Sequence, residues 1–408
     1  MPDITTEAQL AEFSLAPGFR TAATACGLKK SGALDLLMVW ADGPCSAAGV
    51  FTTNRVQAAP VLVDRDALAS AAGRIRGVVA NAGCANAVTG DRGMTDAKRM
   101  QAVAASAVHA KPEEMLVLST GVIGVFLDMD KLERGIAALH SGDAGGAMRR
   151  AGDAARAICT TDTRAKVASV TVELSGGRAT IAGFAKGAGM IHPNMATMLS
   201  VITTDAALAP GALDRALRTA VSESFNRISV DGDMSTNDTV LVLASGQVGC
   251  AAADEESFTA ALAAVCKSLA RQIARDGEGA TRLVELRVTG AASERQAHRV
   301  GDSIACSPLV KTAVHGNDPN WGRVLAAAGY SGEPIEPARV RLWFGDADDV
   351  QLLDRGLPVE FDKARASALL QCDPAVIHLD LGLGDARAIV WTCDFSAEYV
   401  HINADYTT

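Results

Sequence analysis

Lys186, His192 and Thr197 fall within one short stretch, KGAGMIHPNMATMLS, which runs from Lys186 to Ser200. An amine, an imidazole and a hydroxyl are the raw material of acid–base and nucleophilic chemistry. The stretch has neither the 3.6-residue period of a helix nor the alternation of a strand. A threonine hydroxyl needs a base before it can attack a carbonyl. His192 precedes Thr197 by five residues, but Pro193 and the glycines argue against a helix that would bring the two together. A cut between Ala196 and Thr197 supplies a different base. Thr197 becomes a chain terminus, and its own α-amine, with an ordinary pKa of about 7.7–8.0, lies beside its hydroxyl. The competing reading is a tight glycine and methionine loop that fills irregular core space.

The flanking sequence says what must position this stretch. Ala168, Val170, Val172 and Leu174 alternate with Ser169, Thr171 and Glu173, then comes SGG, then Arg178–Ala185. That pattern predicts a hairpin with Lys186 just past its second strand. Arg74–Ala80 reads as a strand followed by a small-residue turn region, NAGCANAVTG. Thr95–Ala110 reads as a helix capped by Thr95 or Asp96, with Ala97, Met100, Ala104 and Val108 on one face. Met115–Leu118 is a short strand running into STGVIG. Gly211–Phe225 is a helix. Another spans about Glu255–Arg275, where Phe258, Leu262, Val265, Leu269 and Ile273 recur at helical steps. It ends at RDGEGAT, with Glu278 just beyond Gly277. Val284, Leu286 and Val288 mark a further strand. Helices alternate with paired strands, which predicts an α+β fold with helical layers on sheet.

Composition narrows the classes. The chain has 408 residues, enough for one large domain or a few of the usual ~100–200 residues. Aromatics are only 4% against 49% apolar, so the core is built from Ala, Val, Leu and Ile. A formal charge of −9 gives no basic footprint for nucleic acid or anionic lipid. The N-terminus lacks the basic and apolar regions of a secretory signal, and no stretch approaches the ~18 apolar residues of a membrane span. These features predict a cytoplasmic protein. Its nine cysteines form no CxxC pair, as expected of reduced thiols, and its seven histidines are dispersed with no cluster suggesting zinc.

Several motifs fail on inspection. DGDMSTND at Asp231–Asp238 has the acidic look of a calcium loop but lacks the required Gly and Glu, with Thr236 and Val242 at those positions. GAGMIH and LGLGDAR miss the last glycine of a dinucleotide fingerprint, and there is no P-loop lysine.

Longer blocks carry a resemblance. TTNRVQAAPV from Thr52, NAGCANAVTG from Asn81, STGVIG from Ser119, TTDT from Thr160 and KGAGMIHPNMATML from Lys186 occur in that order. SFNRISVDGDMSTNDT from Ser224, DGEGAT from Asp276, DPNWGR from Asp318 and YVHINADYTT at the C-terminus follow. Over essentially its whole length the chain resembles the ornithine acetyltransferase family of arginine biosynthesis, also called glutamate N-acetyltransferases. The resemblance implies a layered α/β/β/α sandwich like that of N-terminal-nucleophile hydrolases, with a smaller α/β C-terminal part. It implies self-cleavage at Ala196–Thr197 into an α segment, 1–196, and a β segment, 197–408, intertwined as one unit and paired as an α2β2 assembly. Thr197 would be the nucleophile, Thr120 and Gly121 the oxyanion hole, and Thr160, Lys186, Thr197, Glu278, Asn403 and Thr408 the substrate-binding set. Thr161 and Thr163 stand beside Thr160, which leaves the choice among the three open.

The implied reaction takes the acetyl group from N-acetyl-ornithine to glutamate through an ester on Thr197, with no metal or organic cofactor. Whether acetyl-CoA is a second donor is not readable from these residues. Two other classes share the pattern. One is an amidohydrolase or aminopeptidase on the same scaffold, with water as acceptor. The other is a non-enzymatic amino-acid-binding protein.

Overall fold

In a computed structural model of the chain, residues 10–140, 150–192 and 198–405 are described. The expected cleavage site, Ala196 and Thr197, and the expected C-terminal ligand Thr408 lie outside the described residues.

Strands β1 (Phe19–Thr24), β2 (Leu36–Phe51), β3 (Arg74–Cys84), β4 (Met115–Val122), β5 (Lys166–Leu174), β6 (Gly177–Lys186), β7 (Leu199–Ala207) and β8 (Thr239–Gly249) form one eight-stranded sheet. Its order is β4-β3-β2-β8-β7-β6-β5, with β1 beside β2. Helices α1 (Ala59–Ser70), α2 (Gly90–Ala107), α3 (Met129–His140), α4 (Ala151–Ala157), α5 (Pro210–Ser222) and α6 (Glu255–Arg275) surround it. The long strand β2 serves both halves of the sheet. Leu36–Trp40 pair with β1 and β3, the register slips between Trp40 and Cys45, and Ser46–Phe51 pair with β8.

Side-chain alternation along the strands fixes the layers. Leu37, Val39, Val78 and Leu116 from one half share a single apolar cluster with Val201, Phe184, Leu241 and Leu243 from the other. The sheet is therefore folded over at β2, with its halves face to face. The outer face of the first half, including Leu36, Met38 and Val79, meets α2 and α3. The outer face of the second, including Ile181, Ile202 and Val242, meets α5 and α6. This is the expected α/β/β/α sandwich.

The C-terminal part is a second, mixed sheet. Strands β9 (Leu283–Ala291), β10 (Arg341–Phe344), β11 (Val350–Asp354), β12 (Leu357–Pro358), β13 (Ala375–Asp380) and β14 (Ala386–Cys393) lie in the order β12-β11-β10-β13-β9-β14. Helices α7 (Glu294–Ala305), α8 (Pro308–His315), α9 (Trp321–Gly329) and α10 (Lys363–Leu370) cover its apolar face. A last helix, α11 (Ala397–Asp405), returns toward the first sheet. An isolated bridge between Ile228 and Trp391 joins the two parts. All nine cysteines are free thiols. Among the described residues no helix is long and apolar enough to cross a membrane.

Several expected boundaries shift. α2 begins at Gly90 rather than Thr95, with Thr89 in the capping position. A side chain at position 93 would collide with Thr89 and Asn86, so packing demands a glycine in this first turn. β3 continues through Asn81–Cys84, where a turn was expected, because these residues pair with Ser119–Val122 of β4. Lys186 is the last residue of β6, not the first beyond it. α5 spans Pro210–Ser222, and Phe225–Arg227 form a separate 3-10 turn.

The topology has a consequence for any break after β6. β7 and β8 lie between β2 and β6 in the sheet, hydrogen-bonded on both sides. A chain cut between Gly187 and Met198 will elute as one species on gel filtration in native buffer and as two pieces in strong guanidinium. Separation of the pieces in native buffer would contradict this topology.

Candidate active site

A cavity of about 130 Å³ opens between the sandwich and α11. Thr120, Gly121, Thr160, Lys186, Glu278 and Asn403 all line it. Of the residues singled out in the sequence, only those outside the described residues, Ala196, Thr197 and Thr408, are not placed. These six residues come from five separate stretches of chain, and each stretch is held by a different device.

Thr120 and Gly121 sit near the end of β4, where a bulge sets Cys84 of β3 opposite both Thr120 and Val122. Gly121 has φ +130, and a Cβ there would lie 2.4 Å from the Gly83 carbonyl carbon. Only glycine allows the two strands this approach. Behind them lies a network absent from the sequence-based site. The Asn237 amide donates to the carbonyls of Ala85 at 2.7 Å and Ser119 at 2.8 Å. The Ser119 hydroxyl donates to Asn81 Oδ1 at 2.7 Å, and Asn81 Nδ2 donates to the Cys84 carbonyl at 3.0 Å. These buried bonds satisfy polar groups that would otherwise be costly and fix the strand ends.

Lys186 projects from the end of β6, 3% exposed, with Nζ 3.3 Å from Thr120 Oγ1. The turn before β5 carries Thr160 and Thr161, which both line the cavity. Thr163 instead turns away and donates to Asp276 through both its amide and its hydroxyl. Asp162, between them, accepts from the Thr160 amide at 2.9 Å, the Gly187 amide at 2.7 Å and Lys166 Nζ at 2.5 Å. Lys166 Nζ also reaches Asp276 Oδ2 at 2.5 Å, at the end of α6. All three side chains are buried. Burial alone would raise the Asp162 carboxyl, but the Lys166 and Lys186 charges and the Gly187 N–H outweigh it and hold the group well below the usual carboxylate range.

Two residues after Asp276, Glu278 enters the cavity. Its amide donates to the Ala188 carbonyl at 2.8 Å, and Oε2 accepts from Asn403 Nδ2 of α11 at 2.8 Å. A Cβ at Gly189 would lie 2.4 Å from the Glu278 carboxyl, which explains the small residue there. Asn403 also donates to the Tyr399 carbonyl one turn back on α11.

The acidic loop rejected as a calcium site turns out to line the cavity through Asp231, Asp233 and Ser235–Asn237. Its two ends hold the two flanks of the stretch that carries Thr197. Asp231 accepts from the amides of Met190 at 2.6 Å and Ile191 at 2.9 Å. Asp238 accepts from the Met198 amide at 2.9 Å. Burial pushes the Asp231 carboxyl up to about 6, against the pull of those N–H groups. Burial likewise raises Asp238, opposed by the Met198 N–H and the Lys186 charge. The signal for this role was in the sequence: three aspartates in an eight-residue loop with no metal pattern to account for them.

The model of the ArgJ family matches residues 20–408. The arginine biosynthesis bifunctional protein ArgJ of Symbiobacterium thermophilum is 50% identical over 400 residues, which is 96% of this chain and 97% of that one. A crystal structure of arginine biosynthesis bifunctional protein ArgJ from Bacillus halodurans is 43% identical with a TM-score of 0.48, covering 50% of this chain and 97% of that chain. A structure of ornithine acetyltransferase complexed with ornithine from Mycobacterium tuberculosis is 40% identical with a TM-score of 0.38, covering 44% of this chain and 92% of that one.

The buried ion triad makes a pH prediction. A carboxyl depressed in the fold adds stability above its unfolded pKa near 4, and this is lost as pH falls through the folded value. Asp162→Asn leaves a buried ammonium short of a partner and will lower stability at pH 7 by about 3 kcal/mol. The gap from wild type will shrink below about pH 4, where the unfolded carboxyl protonates. Urea unfolding of both chains across that range checks this, and a gap constant from neutral to acid pH would refute it.

Proposed function

This chain belongs to the ArgJ family, and on that premise we propose that it moves the acetyl group of N2-acetyl-L-ornithine to L-glutamate in arginine biosynthesis, through an acetyl ester on Thr197. The observation that carries the reading is the meeting of Thr120, Gly121, Thr160, Lys186, Glu278 and Asn403 in one small cavity. A buried lysine and a buried glutamate suit an amino acid with one carboxylate and a second ammonium. The cavity has room for a small molecule rather than a polymer.

The chain first cuts itself. The Thr197 hydroxyl attacks the Ala196 carbonyl carbon, the peptide nitrogen leaves as the new α-amine, and water opens the resulting ester. The α-amine then serves as base. In transfer, the hydroxyl gives its proton to that amine and attacks the acetyl carbonyl. Thr120 and Gly121 hold the oxyanion. The carbon–nitrogen bond breaks, the proton passes to the departing ornithine nitrogen, and the acetyl ester remains. Glutamate binds in turn, its neutral amine attacks the ester, and the hydroxyl recovers a proton. Lys186 takes the α-carboxylate that both amino acids carry, Glu278 the side-chain ammonium of ornithine, and Thr160, Asn403 and Thr408 complete the enclosure. The two segments remain one unit because β7 and β8 lie inside the sheet.

Thr197→Ala will run as a single uncut band on denaturing gels, where the wild type runs as two, and will lose transfer by at least 10³-fold, the scale of removing a covalent nucleophile. A cut and active variant would refute the assignment. Acetyl release from N-acetyl-ornithine that is as fast without glutamate as with it would identify a hydrolase instead.

A further inference from the structure

His192, Asp302 and Cys306 are scattered in the sequence, but the fold brings one donor atom of each within 4.8 Å of the others. We propose that they form a binding site for a zinc-class divalent cation, tying the residue that precedes Pro193 to the C-terminal end of α7. Asp302 and Cys306 lie four residues apart at the end of that helix, on one face. His192 arrives from the first sheet. Cys306 Sγ is 3.3 Å from His192 Nδ1 and 3.7 Å from Asp302 Oδ1, and Nδ1 is 4.0 Å from Oδ1. Zinc bonds of ~2.0 Å to nitrogen and oxygen and ~2.3 Å to sulfur, at tetrahedral angles, require donor separations of about 3.3–3.6 Å. The two distances to Sγ are within a few tenths of an ångström of that triangle, and a shift of about 0.7 Å between His192 and Asp302 closes its third side.

The directions of the contacts favour a metal over a catalytic relay. In a thiol–imidazole–carboxylate relay the thiol and the carboxylate face opposite nitrogens of the ring. Here both face Nδ1. Ser229 Oγ also approaches this point, 3.4 Å from Nδ1 and 3.4 Å from Sγ. The donors are thus grouped around one centre, with a water or the serine hydroxyl for the fourth position. One thiolate, one imidazole and one carboxylate suit a borderline-soft ion such as zinc rather than calcium or magnesium. The side chains of His192 and Asp302 are 23% and 28% exposed, so an ion can enter from solvent. On binding, the Cys306 S–H bond breaks, sulfur bonds to the metal, and the proton goes to solvent.

The site would link the two parts of the molecule. Ser229 donates its amide to the Trp391 carbonyl of β14, and the Val230 amide donates to the Ile191 carbonyl, so the neighbouring backbone is already anchored on both sides. The ion would add a tether at His192, five residues before Thr197 in the sequence. This inference does not rest on acetyl transfer.

Cobalt titration of the full chain in a thiol-free reductant tests it. One equivalent of Co²⁺ should give a near-ultraviolet thiolate-to-cobalt charge-transfer band with the strong visible bands of tetrahedral coordination, and Zn²⁺ should erase both. Cys306→Ala should abolish the charge-transfer band. His192→Ala and Asp302→Asn should each weaken cobalt binding at least tenfold, with the folded state checked by circular dichroism. Cys372→Ser, at an exposed thiol elsewhere, should change nothing. No band in the wild type at millimolar cobalt, a band that survives Cys306→Ala, or full affinity in both other variants would overturn the site.

Discussion

The ammonium of Lys166 is enclosed between the carboxylates of Asp162 and Asp276, and the cavity takes its shape from that constraint. A buried charge without partners is among the most costly groups a fold can hold, so the three residues must stay together. Each sits at the root of a different wall. Asp162 belongs to the turn that carries Thr160 and also takes the Gly187 amide next to Lys186. Lys166 opens β5. Asp276 ends α6, two residues before Glu278. The triad itself makes no contact with the cavity, yet it sets the spacing of a hydroxyl, an ammonium and a carboxylate that do. The positions of those groups are fixed by electrostatics from beneath rather than by the loops that display them.

A second constraint is topological. Folding one continuous sheet over at β2 makes two packed layers. It also places the strands after the Thr197 stretch between strands that precede it. The stretch is thus held from both sides by one loop, through Asp231 at Met190 and Ile191 and through Asp238 at Met198. A scission there leaves the hydrogen-bonded sheet intact and frees only local backbone.

What the sequence revealed followed from how locally each feature is encoded. α6 is legible because Phe258, Leu262, Val265, Leu269 and Ile273 carry its period and all five are buried. The β5–β6 hairpin is legible from alternation and SGG. The start of α2 is not, because Gly93 serves a close approach to Asn86 and Thr89 rather than helix propensity. The end of β3 is not, because Asn81 and Gly83 look like a turn and are instead a polar brace and a close strand crossing. Family resemblance located Lys186, Glu278 and Asn403, but not the network of Asn81, Ser119 and Asn237 behind them. Nor could spacing reveal His192 beside Cys306, which are 114 residues apart in the chain. Such pairings exist only after the sheets are assembled.

In the proposed reaction Thr197 is a chain terminus that carries the acetyl group. Intact-mass spectrometry of the purified protein after mixing with N-acetyl-ornithine alone tests it most directly. Two segments divided at Ala196–Thr197 are expected, with one acetyl group added to the segment that begins at Thr197 and removed when glutamate is supplied. An uncut chain, or an acetyl group that never appears on that segment, would contradict it.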